Sequence, residues 1–368
     1  MKLKFNRQEM ADALSAVGSV TPLRSTKEIL KCLRFDAQSD VVWLSATDQE
    51  SGIRYAVTQV EVDATGDTLV SAETLSRIVR ECSDDYLVVE TAGNTMHIRG
   101  AGSHFQIVMQ DTDEFPHVVT LEGDPDFTVD YRTLSGLIDW TVFAAAREST
   151  RYAINGVLWE IDGDKLTLAA TDGRRLSVAH GKLAGAPEGK PAQAIVPSKA
   201  LTLFARLSVD DGAVVGIKLS SNQAIFKVGS VTVSTVLVEG HFPKYQDVVP
   251  SDCDRLVELD TAEFSGAVKR AALLTNEESK GVRLSFADDA LTLSTRAPEQ
   301  GEATIVLPVS YHGEPTDIGF NPTFLSDVLR VAQTKKVTFA FKEANRPGII
   351  KTSDDFIHVV MPVNLSSA

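Results

Sequence analysis

Cysteine is scarce. Cys32, Cys82 and Cys253 are the only three in 368 residues, they lie far apart, and an odd number cannot all pair. With no Cys-x-x-Cys pair and no Cys/His cluster, they offer no zinc site; buried thiols in a reducing compartment are the expectation. No run of about 18 apolar residues is present to cross a membrane as a helix. The stretch Met1 to Met10 carries charges where a secretory signal needs an apolar core, so a soluble, cytoplasmic protein is expected. Enzyme signatures are missing as well: no Gly-x-x-x-x-Gly-Lys loop, no Gly-x-Gly-x-x-Gly opening a helix, no Gly-x-Ser-x-Gly elbow and no His-Glu-x-x-His pair. The seven histidines (His97, His104, His117, His180, His241, His312, His358) are scattered with none at ligand spacing. No catalytic residue, cofactor or metal is therefore expected. Positive charge is also short, with 36 Lys and Arg against 50 Asp and Glu and a net charge of −14. Taken alone, that balance opposes a nucleic-acid partner at long range.

What the chain does contain is repetition. Arg34 to Asp48, Leu158 to Asp172 and Arg283 to Ala297 each read as an apolar pair, an acidic turn and an alternating strand, and their shared leucines Leu44, Leu168 and Leu293 recur about 124 residues apart. Val70-Ser71-Ala72, Val196-Pro197-Ser198 and Phe320-Asn321-Pro322 each open a helical stretch. Those stretches carry Leu75, Leu201 and Leu325 and end on Arg80, Arg206 and Arg330. Earlier in each copy, strand ends at Phe5, Val129 and Leu259 lead into an amphipathic helix. A period of this length is a whole domain and not a solenoid unit. Three tandem domains follow, with expected boundaries at 1–124, 125–252 and 253–368. An apolar content of 43% is enough for each to bury a core.

Each copy reads strand, helix, several strands, helix, several strands. In the second, Asp126 to Asp130 is a strand and Tyr131 to Ala146 a helix with Leu134, Leu137, Ile138 and Val142 on its buried face. Gly156 to Glu160 and Lys165 to Ala170 form a hairpin across Asp162-Gly163-Asp164. Arg175 to His180 is a strand, Gly181 to Pro191 a loop, and Pro197-Ser198 starts the second helix. Strands then run Ala213 to Leu219, Ala224 to Val228 and Thr232 to Val238. Runs of strands without βαβ alternation give an α+β fold with antiparallel sheets and helices on one face. Asp48 and Asp172 hold equivalent positions, which favours a turn role. Links near Phe115-Pro116 and Phe242-Pro243 are short, so neighbouring domains should keep fixed geometry as a rigid arc. The six helical windows (7–18, 71–82, 132–147, 198–207, 262–275, 323–332) hold ten Lys/Arg and seven Asp/Glu, a net +3 that leaves −17 for everything else.

Three tandem α+β domains together with Ala170-Thr171-Asp172-Gly173-Arg174-Arg175-Leu176 and Val359-Val360-Met361-Pro362-Val363-Asn364-Leu365 resemble the bacterial DNA polymerase III beta subunit family, the DNA sliding clamps. Further matching segments are Arg151 to Val157, Ile195 to Lys199, Gly240 to Tyr245 and Asn276 to Leu284, in the family's order and across essentially the whole chain.

The resemblance implies two arcs closed head to tail into a dimeric six-domain ring, with sheets outside and two helices per domain lining the bore. It implies a non-catalytic, cytoplasmic and nucleoid-associated processivity factor that encircles double-stranded DNA without reading its sequence. An ATP-driven clamp loader would open it. On this footing Arg24, Arg80, Lys199, Arg206, Lys269 and Arg330 are candidate phosphate contacts, few and salt-sensitive so that the ring slides. His104, Phe105 and Ile107 would meet Leu273 and Leu274 of a second copy at the ring joint. A groove for the short peptides of the replicative polymerase and other partners maps to Ile154, Thr171, Gly173, Arg174, Leu176, Pro243, Val248, Asn321, Phe324, Val359, Val360, Met361 and Pro362. Asp247 and Asn364 stand where family members often carry arginine, Ser279 where some carry a large apolar residue, and Arg174 where some carry histidine, so peptide preference is open. A protein-binding scaffold of clamp-like fold that does not enclose DNA is the alternative, and an enzyme with a site between repeats a distant third.

Overall fold

The computed structural model describes residues 1–22, 24–148, 152–185, 192–210, 212–275, 281–297 and 301–364. Arg151, the segment 276–280 with Ser279, and Leu365 therefore lie outside the described residues.

The threefold repeat is visible in the element order. The first copy begins with β1 (Lys2–Asn6), α1 (Arg7–Gly18), β2 (Cys32–Ala37), β3 (Val42–Thr47), β4 (Ser51–Val57) and β5 (Val60–Ala64). It continues with β6 (Gly66–Ser71), α2 (Ala72–Glu81), β7 (Tyr86–Ala92), β8 (Thr95–Arg99) and β9 (His104–Val108). The second runs β10 (Phe127–Asp130), α3 (Tyr131–Thr141), β11 (Gly156–Asp162), β12 (Lys165–Thr171) and β13 (Arg175–Lys182). After these come β14 (Ala192–Pro197), α4 (Ser198–Ala205), β15 (Val214–Leu219), β16 (Gln223–Val228) and β17 (Val231–Val236). The third repeats the order of the second: β18 (Arg255–Asp260), α5 (Thr261–Ala272), β19 (Val282–Ala287), β20 (Ala290–Ala297) and β21 (Gly301–Pro308). It ends with β22 (Thr316–Phe320), α6 (Pro322–Val331), β23 (Lys336–Phe341), β24 (Gly348–Ser353) and β25 (Phe356–Val360).

Local chemistry sets the helix starts. Asn6 accepts the Glu9 N–H at 3.0 Å, Ser71 the Thr74 N–H at 3.3 Å, Asp260 the Ala262 and Glu263 N–H groups at 3.0 Å, and Asn321 the Thr323 N–H at 2.9 Å. Each supplies one of the acceptors that a helix N-terminus lacks, worth about 1 kcal/mol apiece. α3 stops at Thr141, five residues before the expected end at Ala146. There the Thr141 hydroxyl donates back to the Leu137 carbonyl at 2.7 Å, the backbone leaves helical dihedrals (φ −121°), and a 3₁₀ turn over Val142–Ala144 follows. β13 runs on to Lys182, beyond the expected His180, because its last residues pair with the start of β12 (Lys165↔Lys182).

Among the described residues the strand ladders are antiparallel and make four sheets: β5-β1-β7-β8-β9, β10-β15-β16-β17-β4-β3-β2-β6, β14-β11-β12-β13-β25-β24-β23-β18 and β21-β20-β19-β22. The described residues gather into two compact units. The first draws on Met1–Ser135, Leu183–Lys190 and Lys199–Val238, the second on Gly136–Lys182, Pro191–Ser198 and Glu239–Ala368. Repeat and compact unit thus divide the chain differently. Each eight-stranded sheet joins strands from two repeats, through β17 on β4 in the first unit and β25 on β13 in the second. Alternating residues feed the cores, where α1 packs on α2 and α5 on α6. Phe264, Phe286, Phe320, Phe339, Phe341 and Phe356 are fully buried in the second unit, each contributing roughly 2–3 kcal/mol.

Candidate functional site

The turn between β12 and β13 is built by its own side chains. The Thr171 hydroxyl donates to the Arg175 carbonyl at 2.6 Å and accepts from the Gly173 N–H at 3.0 Å. Asp172 Oδ1 accepts the N–H groups of Arg174 and Arg175 at 3.0 and 3.1 Å. Gly173 sits at φ +84°, a conformation that glycine adopts without strain. The first unit repeats the device between β3 and β4. Thr47 donates to the Ser51 carbonyl at 2.8 Å, and Asp48 accepts from Glu50 and Ser51 at 3.0 and 2.7 Å. The turn role expected of both aspartates is what the structure contains.

In the second unit this turn is braced by Arg175, whose side chain is only 10% exposed. Its guanidinium donates to Asp172 at 3.2 Å, to Asp327 of α6 at 2.7 Å and to the Phe143 carbonyl at 2.6 Å, and lies 4.6 Å from the centre of the Phe324 ring. One planar cation thereby fastens turn, helix and 3₁₀ segment together. Beneath it, β13 and β25 run in register, Arg175 opposite Val360 and Leu176 opposite Val359. His358 is fully buried; its Nδ1 lies 2.7 Å from the Ser177 hydroxyl and its Nε2 has no hydrogen-bond partner among the described residues. Burial, aided by the Arg175 charge, pushes this imidazole down to about 3. The Ser–His contact is sealed in the sheet, where no substrate reaches it.

Past β25 the chain stays tied down. Met361 N–H donates to the Arg174 carbonyl at 2.9 Å and Val363 N–H to the Gly319 carbonyl at 2.8 Å. The structure thus brings Thr171, Gly173, Arg174, Leu176, Val359, Val360, Met361 and Pro362 to one end of the sheet, and Arg175 links them to Phe324 and Asp327 of α6, the helix that Asn321 caps. Leu176, Val359 and Val360 are buried, whereas Met361 remains 43% exposed and Arg174 points to solvent. Ile154 is buried in a segment that Ala153 N–H joins to the His241 carbonyl at 3.3 Å. Pro243 and the exposed Val248 follow on that second segment, which is anchored where the Tyr245 hydroxyl donates to Glu160 at 2.6 Å. Next to Pro362 lies a cleft of about 550 Å³, lined also by Val363, Asn364, Gly319, Ala344, Asn345 and the charged pair Arg283 and Asp317. Exposed apolar side chains beside buried ones and a cleft of this volume suit a short, partly apolar ligand. The equivalent place in the first unit is filled. There Gly52 replaces Leu176, Ser234 and Thr235 replace Val359 and Val360, and any side chain at Gly52 would collide with Val118.

β9 and β21 each end a sheet. On β9, Phe105 is half-buried and Ile107 buried, while His104 and Val108 face solvent. Leu273 is 77% exposed at the end of α5, which packs against β21; Leu274 is half-buried. The six candidate cations are all exposed: Arg24 after α1, Arg80 at the end of α2, Lys199 and Arg206 on and after α4, Lys269 on α5 and Arg330 on α6. Two are partly neutralised, Lys199 by Asp48 and Arg330 by Asp327 at 3.3 Å. Sequence reasoning passed over Arg175 as a site residue, although the pair Arg174-Arg175 between Asp172 and a buried Leu176 was a signal. It also passed over the edge strand β21, whose alternating Ala303, Ile305 and Leu307 were legible.

Three family models match the chain in order. Those of the DNA polymerase III beta subunit cover residues 1–119 with its N-terminal domain, 128–244 with its central domain and 246–364 with its C-terminal domain. The chain is 31% identical to the beta sliding clamp of Pseudomonas aeruginosa and 30% identical to that of Escherichia coli K12, in each case over 99% of this chain and 100% of the relative. The crystal structure of the Pseudomonas aeruginosa sliding clamp bound to griselimycin superposes with a TM-score of 0.92 at 31% identity, covering 99% and 100% of the two chains. The Bacillus subtilis DNA polymerase sliding clamp gives 0.91 at 26% identity, covering 99% of each.

Proposed function

Because the chain belongs to the DNA polymerase III beta subunit family, the beta sliding clamps, we propose that two copies close into a ring around duplex DNA and tether the replicative polymerase to it through the groove of the second unit. As a clamp the protein is a non-catalytic accessory subunit of DNA replication.

One observation carries the ring. The chain contains the same sheet junction twice, β17 on β4 and β25 on β13, and leaves both halves of a third unused. In repeat order β9 corresponds to β17 and β25, while β21 corresponds to β4 and β13. Among the described residues each is an edge strand paired to one neighbour, and each carries an exposed valine, Val108 at 69% and Val306 at 59%. Bare edges of this kind invite pairing. Joining β9 of one copy to β21 of another, and the reverse, completes the third junction twice under a twofold axis. His104, Phe105 and Ile107 of β9 then meet the Leu273–Leu274 end of α5. The domain boundaries at 124/125 and 252/253 belong to this reading.

Within such a ring the six exposed cations, Arg24, Arg80, Lys199, Arg206, Lys269 and Arg330, are the candidate contacts to phosphate, and their small number suits sliding over tight binding. The acidic remainder discourages DNA from the outer surface. The groove takes a short peptide of leucine and phenylalanine character, its polar rim set by Arg174, Asp247 and Asn364. A loader that spends ATP opens the ring, and the protein works in the cytoplasm at the nucleoid. Light scattering on the eluting protein tests the joint: the parent should have twice the chain mass of 39.8 kDa, and Ile107→Asp should have the mass of one chain. A parent that elutes as a single chain at every concentration would refute the ring.

A further inference from the structure

On the five-stranded sheet, His97 of β8 and His104 of β9 are diagonal neighbours across the ladder. Nδ1 of His97 and Nε2 of His104 are 3.1 Å apart, with ring centroids at 5.3 Å and planes inclined by 24°. No motif spacing brings them together; the hairpin does, by setting Arg99 opposite His104 and His97 opposite Gln106. Two ring nitrogens this close share either a proton or a cation. Zinc–nitrogen bonds of about 2.0–2.1 Å at a tetrahedral angle place the two nitrogens roughly 3.3 Å apart, so the pair needs almost no movement to hold an ion.

We infer that His97 and His104 form a two-imidazole site for a divalent transition-metal ion of the zinc, copper and nickel class, on the outward face of the β8–β9 hairpin. Imidazole is the ligand this class prefers. Both histidines ride on paired strands, so the backbone is already ordered and little freedom is lost on binding. The surrounding charges do not oppose a cation. Arg99 is engaged by Glu90 at 2.7 Å and Lys2 by Asp63 at 3.4 Å, Glu90 lies opposite His97, and Gln106 is neutral. His104, itself a candidate ring-joint residue, stands on the solvent face of β9, on the side away from Phe105 and Ile107. Water, or one further donor, completes the coordination.

The experiment is calorimetric titration of the untagged full-length chain with zinc chloride, beside His97→Ala, His104→Ala and the neighbouring Gln106→Ala. One ion per chain is expected in the parent and in Gln106→Ala. Each histidine variant should bind at least about tenfold more weakly. The inference is overturned if uptake is not saturable, if either histidine variant binds as the parent does, or if Gln106→Ala loses as much as they do. It stands independently of the ring, because a chain that remains a monomer yet binds one zinc through both histidines satisfies it.

Discussion

Replacing Arg175 by alanine should unsettle the second unit and its groove together. The side chain is 10% exposed and its two carboxylate partners, Asp172 and Asp327, are 20% and 23% exposed. Removing the cation leaves Asp172 with its backbone donors alone, Asp327 with only the exposed Arg330 at 3.3 Å, and the Phe143 carbonyl without the guanidinium. Breaking a buried ion pair costs about 3–5 kcal/mol. The carboxylates keep some water, so the lower end, about 3 kcal/mol, applies, including the loss of stacking on Phe324. At about 2–4 °C per kcal/mol for a unit of this size, the melting transition should fall by about 6–12 °C. Arg175→Lys keeps the charge but not the planar fork, and should fall by less. Calorimetry of the full chain reads the shift, and amide exchange locates it, with faster exchange expected in β13, β25 and α6. A transition within about 2 °C of the parent, with exchange unchanged at those elements, would refute the bracing role of Arg175.

Other expectations follow from the same geometry. His358 is held neutral in the fold at a pKa of about 3, whereas an unfolded imidazole titrates near 6.5. A folded pKa lowered in this way gives stability that is present above about pH 6.5 and lost as pH falls toward 3. Between pH 7 and pH 5 the parent should lose about 2 kcal/mol more than His358→Gln does, read from denaturant midpoints at the two pH values. Met361→Ala with Pro362→Ala should weaken binding of a polymerase-derived peptide by about tenfold or more while the dimer mass stays unchanged; an unaltered affinity would place the groove elsewhere. Arg80→Ala with Arg206→Ala should lower the salt slope of binding to a short duplex by about 2, one for each phosphate no longer neutralised.

Much of the architecture was legible because it is written three times. The shared leucines, caps such as Asn321, and turn aspartates such as Asp48 and Asp172 each mark a local choice that the chain repeats, and the strands and helices fell close to where those marks put them. Helix α3 ended early because the Thr141 hydroxyl returns to a carbonyl one turn back, a competition that apolar spacing does not register. The compact units were not legible, since they depend on which repeat lends an edge strand to which, as β25 does to β13. In the groove, Leu176, Val359 and Met361 stood in recognisable segments. Arg175 did not stand out, because its partners Asp327 and Phe143 lie 152 and 32 residues away in sequence. His97 and His104 looked scattered for a similar reason: strand register, not spacing, makes them neighbours.

Enclosure of DNA is tested most directly by retention on circular and linear templates. The labelled chain, placed on a closed circular duplex by an ATP-driven clamp loader, is passed through a sizing column before and after a single restriction cut. The chain should travel with the circle through high salt and leave once free ends exist. Equal retention on both templates, or release from the intact circle on raising salt alone, would mean that contact and not topology holds the protein to DNA.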